Sequence, residues 1–124
     1  MPRLIVDGSN VMGARPDGWW RDRTGARIRL TVQIDEAADE LCGRLLDDRS
    51  AEVVVVHDGP PTEMQLLRVH VDFAGHADDL IVDLAGPGDV VASSDRELVR
   101  RCEAKGATTV GAGSVLRLLG GRGD

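Results

Sequence analysis

Three short apolar runs in this sequence each lead into an aspartate. Leu4–Val6 closes on Asp7, Val53–Val56 on His57 and Asp58, and Asp89–Ala92 on Ser93, Ser94 and Asp95. The runs are too short for helices and rich in β-branched residues, so each predicts a strand. The consecutive valines 53–56 are what a strand covered on both faces requires. Between the first two runs, Val32, Ile34, Ala38, Leu41, Leu45 and Leu46 recur near helical spacing, which predicts a helix over Thr31–Asp48. Asp35, Glu36, Asp39 and Glu40 fall toward its solvent side, and Asp35 and Glu36 suit the positive N-terminal end of the helix. Strand, helix, strand is a βαβ unit, so its two strands run parallel. In a parallel sheet ligands bind beyond the carboxyl ends of the strands. That edge is where the aspartates fall, with Ser9 and Asn10 in the turn after Asp7.

The remaining chain continues the alternation. Leu66–Phe73 reads as a third strand, with Val69, Val71 and Phe73 alternating against His70 and Asp72. His76–Ala85 reads as a short helix whose apolar face is Ala77, Leu80, Ile81 and Leu84, stopped by Gly86-Pro87. At about 100° per residue, Asp78 lies beside that face and Asp79 nearly opposite it. A fourth strand ends at Ala92, and a helix from the Ser93–Glu97 turn runs to Lys105. A fifth strand covers Thr108–Val110, and a last helical turn or two covers Ser114–Leu119. Residues 1–124 therefore read as a single α/β domain, with 120–124 a loose tail.

Composition narrows the function. A chain of 124 residues can bury one core, which must be mostly Val, Leu, Ile and Ala because it has one Phe, two Trp and no Tyr. A net charge of −6 argues against a protein that coats nucleic acid through bulk positive charge. It is compatible with a metal-dependent nuclease, whose carboxylates themselves lower the charge. Cys42 and Cys102 have no metal or CxxC spacing and read as buried thiols of a reducing cytoplasm. No apolar run approaches the ~20 residues that span a membrane. The localisation expected is cytoplasmic.

One segment is locally basic. Arg15, Arg21, Arg23, Arg27 and Arg29 stand against Asp17 and Asp22, and Pro16, Gly18 and Gly25 predict a loop. Trp19 and Trp20 lie within it. Guanidinium groups beside exposed indoles suit a single-stranded nucleic acid, one holding phosphate and the other stacking on a base. The competing reading folds one or both Trp residues onto the core.

The acids invite the same weighing. Asp7-Gly8 and Asp58-Gly59 are ordinary turn dipeptides. Asp78 and Asp79 suit a helix N-terminus. Ser94-x-x-Glu97 fits a capping box, which would make Asp95 a routine first-turn acid. Taken together, acids at one sheet edge repel and raise each other's pKa unless a cation is present. Mg²⁺ or Mn²⁺ prefers such oxygen ligands, orients a water and stabilises the oxyanions of phosphodiester cleavage. Asn10 and Ser94 can hold a carboxylate or the water by hydrogen bonds. His57, His70 and His76 lack ligand spacing and read as structural or solvated.

Val6-Asp7-Gly8-Ser9-Asn10, the valine run ending in Asp58-Gly59, Ala77-Asp78-Asp79-Leu80-Ile81 and Ser93-Ser94-Asp95-Arg96 stand in the order of the NYN domains of the PIN-like nuclease superfamily. The chain resembles the YacP-like branch, which includes ribosome-associated bacterial endoribonucleases, from Leu4 to about Leu119. The resemblance implies a three-layer α/β/α sandwich with a mainly parallel sheet of about five strands, and Mg²⁺- or Mn²⁺-dependent cleavage of RNA. Asp7, Asp78 and Asp95 would be the metal-binding acids, Asn10 would support Asp7, and Asp58 and Asp79 would be accessory. Arg15, Arg21, Arg23, Arg27, Arg96 and Ser94, with Trp19 or Trp20, would hold RNA. The implied partners are mRNA, rRNA or tRNA and the ribosome, without a membrane; a monomer and a homodimer are both compatible. Some relatives carry a further acid a few residues after the position of Asp95. Here Val99 stands near that place and Glu97 is the nearest acid, which leaves one or two metals open. The alternative is a PIN-like RNA- or ribosome-binding module with little catalysis. A haloacid-dehalogenase phosphatase needs a second Asp two residues after the first, and Ser9 occupies that place. A P-loop is disfavoured because GxxxxGK[ST] does not occur.

Overall fold

The computed structural model describes residues 2–123, with side chains through 120. Five parallel strands, β1 (Arg3–Asp7), β2 (Glu52–Asp58), β3 (His70–Ala74), β4 (Val90–Ala92) and β5 (Thr108–Val110), form one sheet in the order β3-β2-β1-β4-β5. The α-helices are α1 (Gly8–Ala14), α2 (Arg23–Leu46), α3 (Ala77–Leu84), α4 (Arg96–Ala104) and α5 (Ala112–Gly123). Strand side chains alternate between two cores. Leu4, Val6, Val53, Val55, Val90 and Ala92 face the layer of α1, α2 and α5, where Leu30, Ile34, Leu41, Val115 and Leu119 are buried. Ile5, Val54, Val56 and Val91 face α3 and α4, where Ile81, Leu98 and Cys102 are buried. The result is the expected three-layer α/β/α sandwich, and it needs the double-sided valine run because β2 is covered on both faces. Both cysteines are free and buried. Among the described residues, no helix is long and apolar enough to cross a membrane.

The chain builds outward from β1 through β2 to β3, then returns to place β4 on the other side of β1. Strand order therefore reverses between β1 and β4, and the crevice beyond their carboxyl ends is the switch point where ligands of open α/β sheets bind. Asp7 ends β1, and Ser93, Ser94 and Asp95 follow β4.

Several boundaries differ from the sequence expectation. Ser9 and Asn10 are in α1, not in a turn, because Asp7 caps that helix directly. The first long helix begins at Arg23 instead of Thr31, since Asp22 accepts the Gly25 N–H at 2.9 Å and starts it a full two turns early. Arg23, Arg27 and Arg29 are thus helical, and only the 15–22 part of the basic segment is a loop, containing a 3₁₀ turn, Trp19–Arg21. The third strand starts at His70 rather than Leu66. Residues 66–69 are instead held by Asp35, whose carboxylate accepts the N–H groups of Leu67, Arg68 and Val69 at 3.0, 2.7 and 2.9 Å. Asp35 is therefore buried against this segment and not turned to solvent. The last helix opens at Ala112, two residues early. The expected loose tail at 120–124 falls largely outside the described side chains.

Candidate active site

Asp7 is 3% exposed. Its Oδ2 accepts from the Ser93 hydroxyl at 2.8 Å and its Oδ1 from the Asn10 N–H at 3.4 Å. Ser93 Oγ in turn accepts the Asp95 N–H at 3.1 Å. One buried hydroxyl thus ties the acid after β1 to the acid after β4. Asn10 adds a second tie, its Oδ1 accepting the Ser94 N–H at 2.7 Å. Asn10 therefore supports Asp7 through its backbone, while its side chain fastens the loop that carries Asp95. Ser94 Oγ accepts the Ala112 N–H at 2.9 Å and so anchors the start of α5. Ser94 and Glu97 form no capping box. Asp95 itself caps α4, taking the Glu97 and Leu98 N–H groups on Oδ1 at 3.0 and 3.2 Å. Glu97 pairs with Arg100.

Asp58 is fixed from two sides. Its N–H donates to Ser9 Oγ at 2.9 Å, and its Oδ1 accepts the Ala77 N–H at 3.2 Å at the start of α3. Gly59, at φ +104°, makes the following turn possible for lack of a side chain. Asp78 is half-buried in the first turn of α3, as its helical position predicts, and Asp79 is exposed. Asp7 caps α1 where a turn was expected, Asp95 caps α4 in place of a Ser94–Glu97 box, and only Asp58-Gly59 is the expected turn; all three structural roles are compatible with a site. Asp58 and Asp95 each use only Oδ1 in their caps.

Burial, and then the charges of Asp78 and Asp58, raise Asp7 from 3.8 to about 6, against the opposing bonds from Ser93 and Asn10. Burial also raises Asp78, reinforced by Asp95, Asp58 and Asp79 and opposed by Arg101. The structure therefore couples Asp7, Asp58, Asp78 and Asp95 electrostatically at the switch point. Among the described residues, no three His, Cys, Asp or Glu side chains come close enough together to chelate one ion. An open depression of about 280 Å³ lies over Asp58, Ala77, Asp78, Asp79 and Arg101. Asp79 lines the same depression as Asp58 and Asp78, and its Oδ1 pairs with Arg101 at 2.9 Å.

The aromatic and basic residues divide. Trp19 packs against the core, while Trp20 is 56% exposed. The two rings meet edge-on, with Arg21 near the Trp20 ring and Arg23 near the Trp19 ring, at 5.8 and 5.5 Å from the ring centroids. Arg27 is committed to the fold: it donates to the Asp58 carbonyl at 3.0 Å and to Thr62 Oγ1 at 3.3 Å. Arg15 is half-buried at the end of α1, and Arg96 is exposed at the start of α4. His57 is buried, its Nε2 2.8 Å from Thr31 Oγ1. Since that hydroxyl donates to the Arg27 carbonyl at 2.7 Å, the proton between them belongs to Nε2. Burial, then the Arg27 charge, lower His57 from 6.5 to about 4, so the ring is neutral. His70 and His76 are exposed.

No family model matches the chain, and no curated protein matches it. Among solved structures it is similar to Rae1 (YacP) from Bacillus subtilis, with a TM-score of 0.70 and 25% identity over 98% of this chain and 75% of that one. A point mutant of the same protein gives a TM-score of 0.72 at 24% identity, covering 98% and 76%. This chain has the YacP-like NYN fold. It spans about three quarters of the length of those two YacP structures. Sequence reasoning singled out Asp7, Asp58, Asp78 and Asp95, together with Asp79, from their positions after the strands. It assigned no role to Ser9, Ser93 or Arg101. Ser93 had a signal, a serine in the first position after a strand and two before an acid; Arg101 had none, because only the packing of α4 on α3 brings it to Asp79.

Proposed function

We propose that this chain is a Mg²⁺- or Mn²⁺-dependent endoribonuclease. The observation that carries the reading is Asp7, buried, raised to about 6 and coupled to the charges of Asp78 and Asp58 at the switch point. Such repulsion is relieved by a cation. Asp7, Asp58, Asp78 and Asp95 would hold it. Mg²⁺ retains several waters and takes one or two carboxylates directly, so it does not require three of the described acids to converge. When bound, the ion supplies an activated water and charge stabilisation for phosphodiester hydrolysis. The chain's own residues do the positioning. Ser93 and the Asn10 backbone orient Asp7, and the Asn10 side chain holds the Asp95 loop. The exposed Trp20 would stack on a base, with Arg21 over its ring and Arg23 over Trp19 for flanking phosphates. The substrate class is RNA (mRNA, rRNA or tRNA), free or on the ribosome, in line with the YacP-like resemblance.

The test is cleavage of a labelled structured RNA with Mn²⁺, with Mg²⁺ and with EDTA, beside the Asp95→Asn protein. Metal-dependent cutting that falls at least ~100-fold in the variant is the expected result. Equal rates in the two proteins would remove Asp95 from the site. The alternative is an RNA- or ribosome-binding module with little or no catalysis. It predicts binding that survives EDTA and the absence of cutting with either metal.

A further inference from the structure

We propose that Arg101 holds a phosphate of the substrate at this site; the proposal rests on the RNA-directed reading above. Arg101 is in the last turn of α4, and packing of α4 against α3 brings it to the depression formed by Asp58, Asp78 and Asp79. Among the described residues it is the one guanidinium or ammonium group lining that depression. A polyanion approaching this rim meets three carboxylates and the His76 ring, and Arg101 is the permanently charged cation there that can attract it.

The fold makes little demand on this residue. Its pair with Asp79 is a surface pair, the side chains 38% and 65% exposed, and such pairs contribute roughly 0–1 kcal/mol. That pair engages Nη2. A guanidinium carries five N–H donors in a planar fork, so a phosphate can be taken up in bidentate fashion while the contact to Asp79 persists. Arg101 also opposes the repulsion on Asp78, which places its charge within reach of the coupled acids. Asp79, expected as an accessory metal ligand, becomes the residue against which Arg101 rests.

The experiment compares wild type, Arg101→Ala and Arg101→Lys. Affinity for a short fluorescein-labelled single-stranded RNA is measured by anisotropy in EDTA across a salt series, and KM and kcat for cleavage are measured with Mn²⁺. Arg101→Ala should bind roughly tenfold more weakly, lose one phosphate contact's worth of salt dependence (a log–log slope smaller by about 0.7), and raise KM more than it lowers kcat. Arg101→Lys should recover the salt slope and part of the affinity, since it keeps the charge and loses the fork. Wild-type slope, affinity and KM in Arg101→Ala would overturn the assignment and leave the nuclease reading standing. A lowered melting temperature with an unchanged slope would mark a structural role and overturn it too. A wild-type protein that neither binds nor cuts RNA would remove both readings.

Discussion

Gly8 opens α1 directly beneath the His57 ring. A Cβ on Gly8 would lie 2.4 Å from His57 Cε1 and 2.5 Å from Nδ1, and the ring cannot yield readily. It is held by Thr31 on one side and stacked on Phe73, 5.8 Å away, on the other. The glycine that looked like a turn residue after Asp7 is there for close packing. Gly8→Ala should cost about 1–3 kcal/mol in urea denaturation, the range for overpacking a buried site. Adding His57→Ala should return part of that loss, and a double-mutant cycle with no coupling would refute the contact as its cause. The acids tell a similar residue-scale story. Helix caps account for where Asp7 and Asp95 sit and the Asp58-Gly59 turn for Asp58, and all three lie at one edge of the sheet.

At the scale of elements, α2 reaches further than its apolar periodicity suggested, at both the level of its start and of its polar face. Asp35 is the clearest case. Burial alone would raise its pKa, yet the three backbone N–H bonds from 67–69 overcome that and hold it below the usual carboxylate range. Its stabilising contribution is therefore full above about pH 4 and is lost as pH falls through its lowered value. Asp35→Ala leaves those three donors without a partner and should cost about 3 kcal/mol, with the added loss at neutral pH and a smaller one in acid. Hydrogen exchange at 67–69 would locate the damage; unchanged protection there would contradict the role. The early start of α2 also sets Arg23 on a rigid turn beside Trp19. Arg21→Ala with Arg23→Ala should weaken RNA binding and flatten its salt dependence by about two phosphate contacts at most. Unchanged binding would exclude this segment from the RNA path.

Across the whole molecule, two buried groups near the switch point respond oppositely to pH. Asp7, raised from 3.8 to about 6, contributes stability that is full below about pH 4 and lost as pH rises through about 6. His57, lowered from 6.5 to about 4, contributes stability that is full above about pH 6.5 and lost as pH falls through about 4. Each shift corresponds to about 3 kcal/mol, so in the metal-free protein the two nearly offset. Asp7→Asn removes one of them. In EDTA the variant should be more stable than wild type at pH 7.5, and should lose that advantage progressively toward pH 4. Urea midpoints at pH 7.5, 5.5 and 4 check this. A variant weaker than wild type at pH 7.5 would show that ionised Asp7 carries no strain in the metal-free state.

Local pattern alone determined the five strands, the parallel pairing of the first two and the sequence positions of the acids, because β-branched runs, helical periodicity and turn residues act over a few residues; the fully parallel sheet was implied by the resemblance. The split between a half-buried Asp78 and an exposed Asp79 was legible for the same reason, since it follows from helix geometry. Three things were decided only by the tertiary structure. The sheet order put β4 beside β1, which brought Ser93 to Asp7 across 86 positions of sequence. Packing of α4 on α3 set Arg101 against Asp79. The 67–69 segment drew Asp35 away from solvent. In each case a polar group found its partner far along the chain, and composition and spacing carry no record of such pairings.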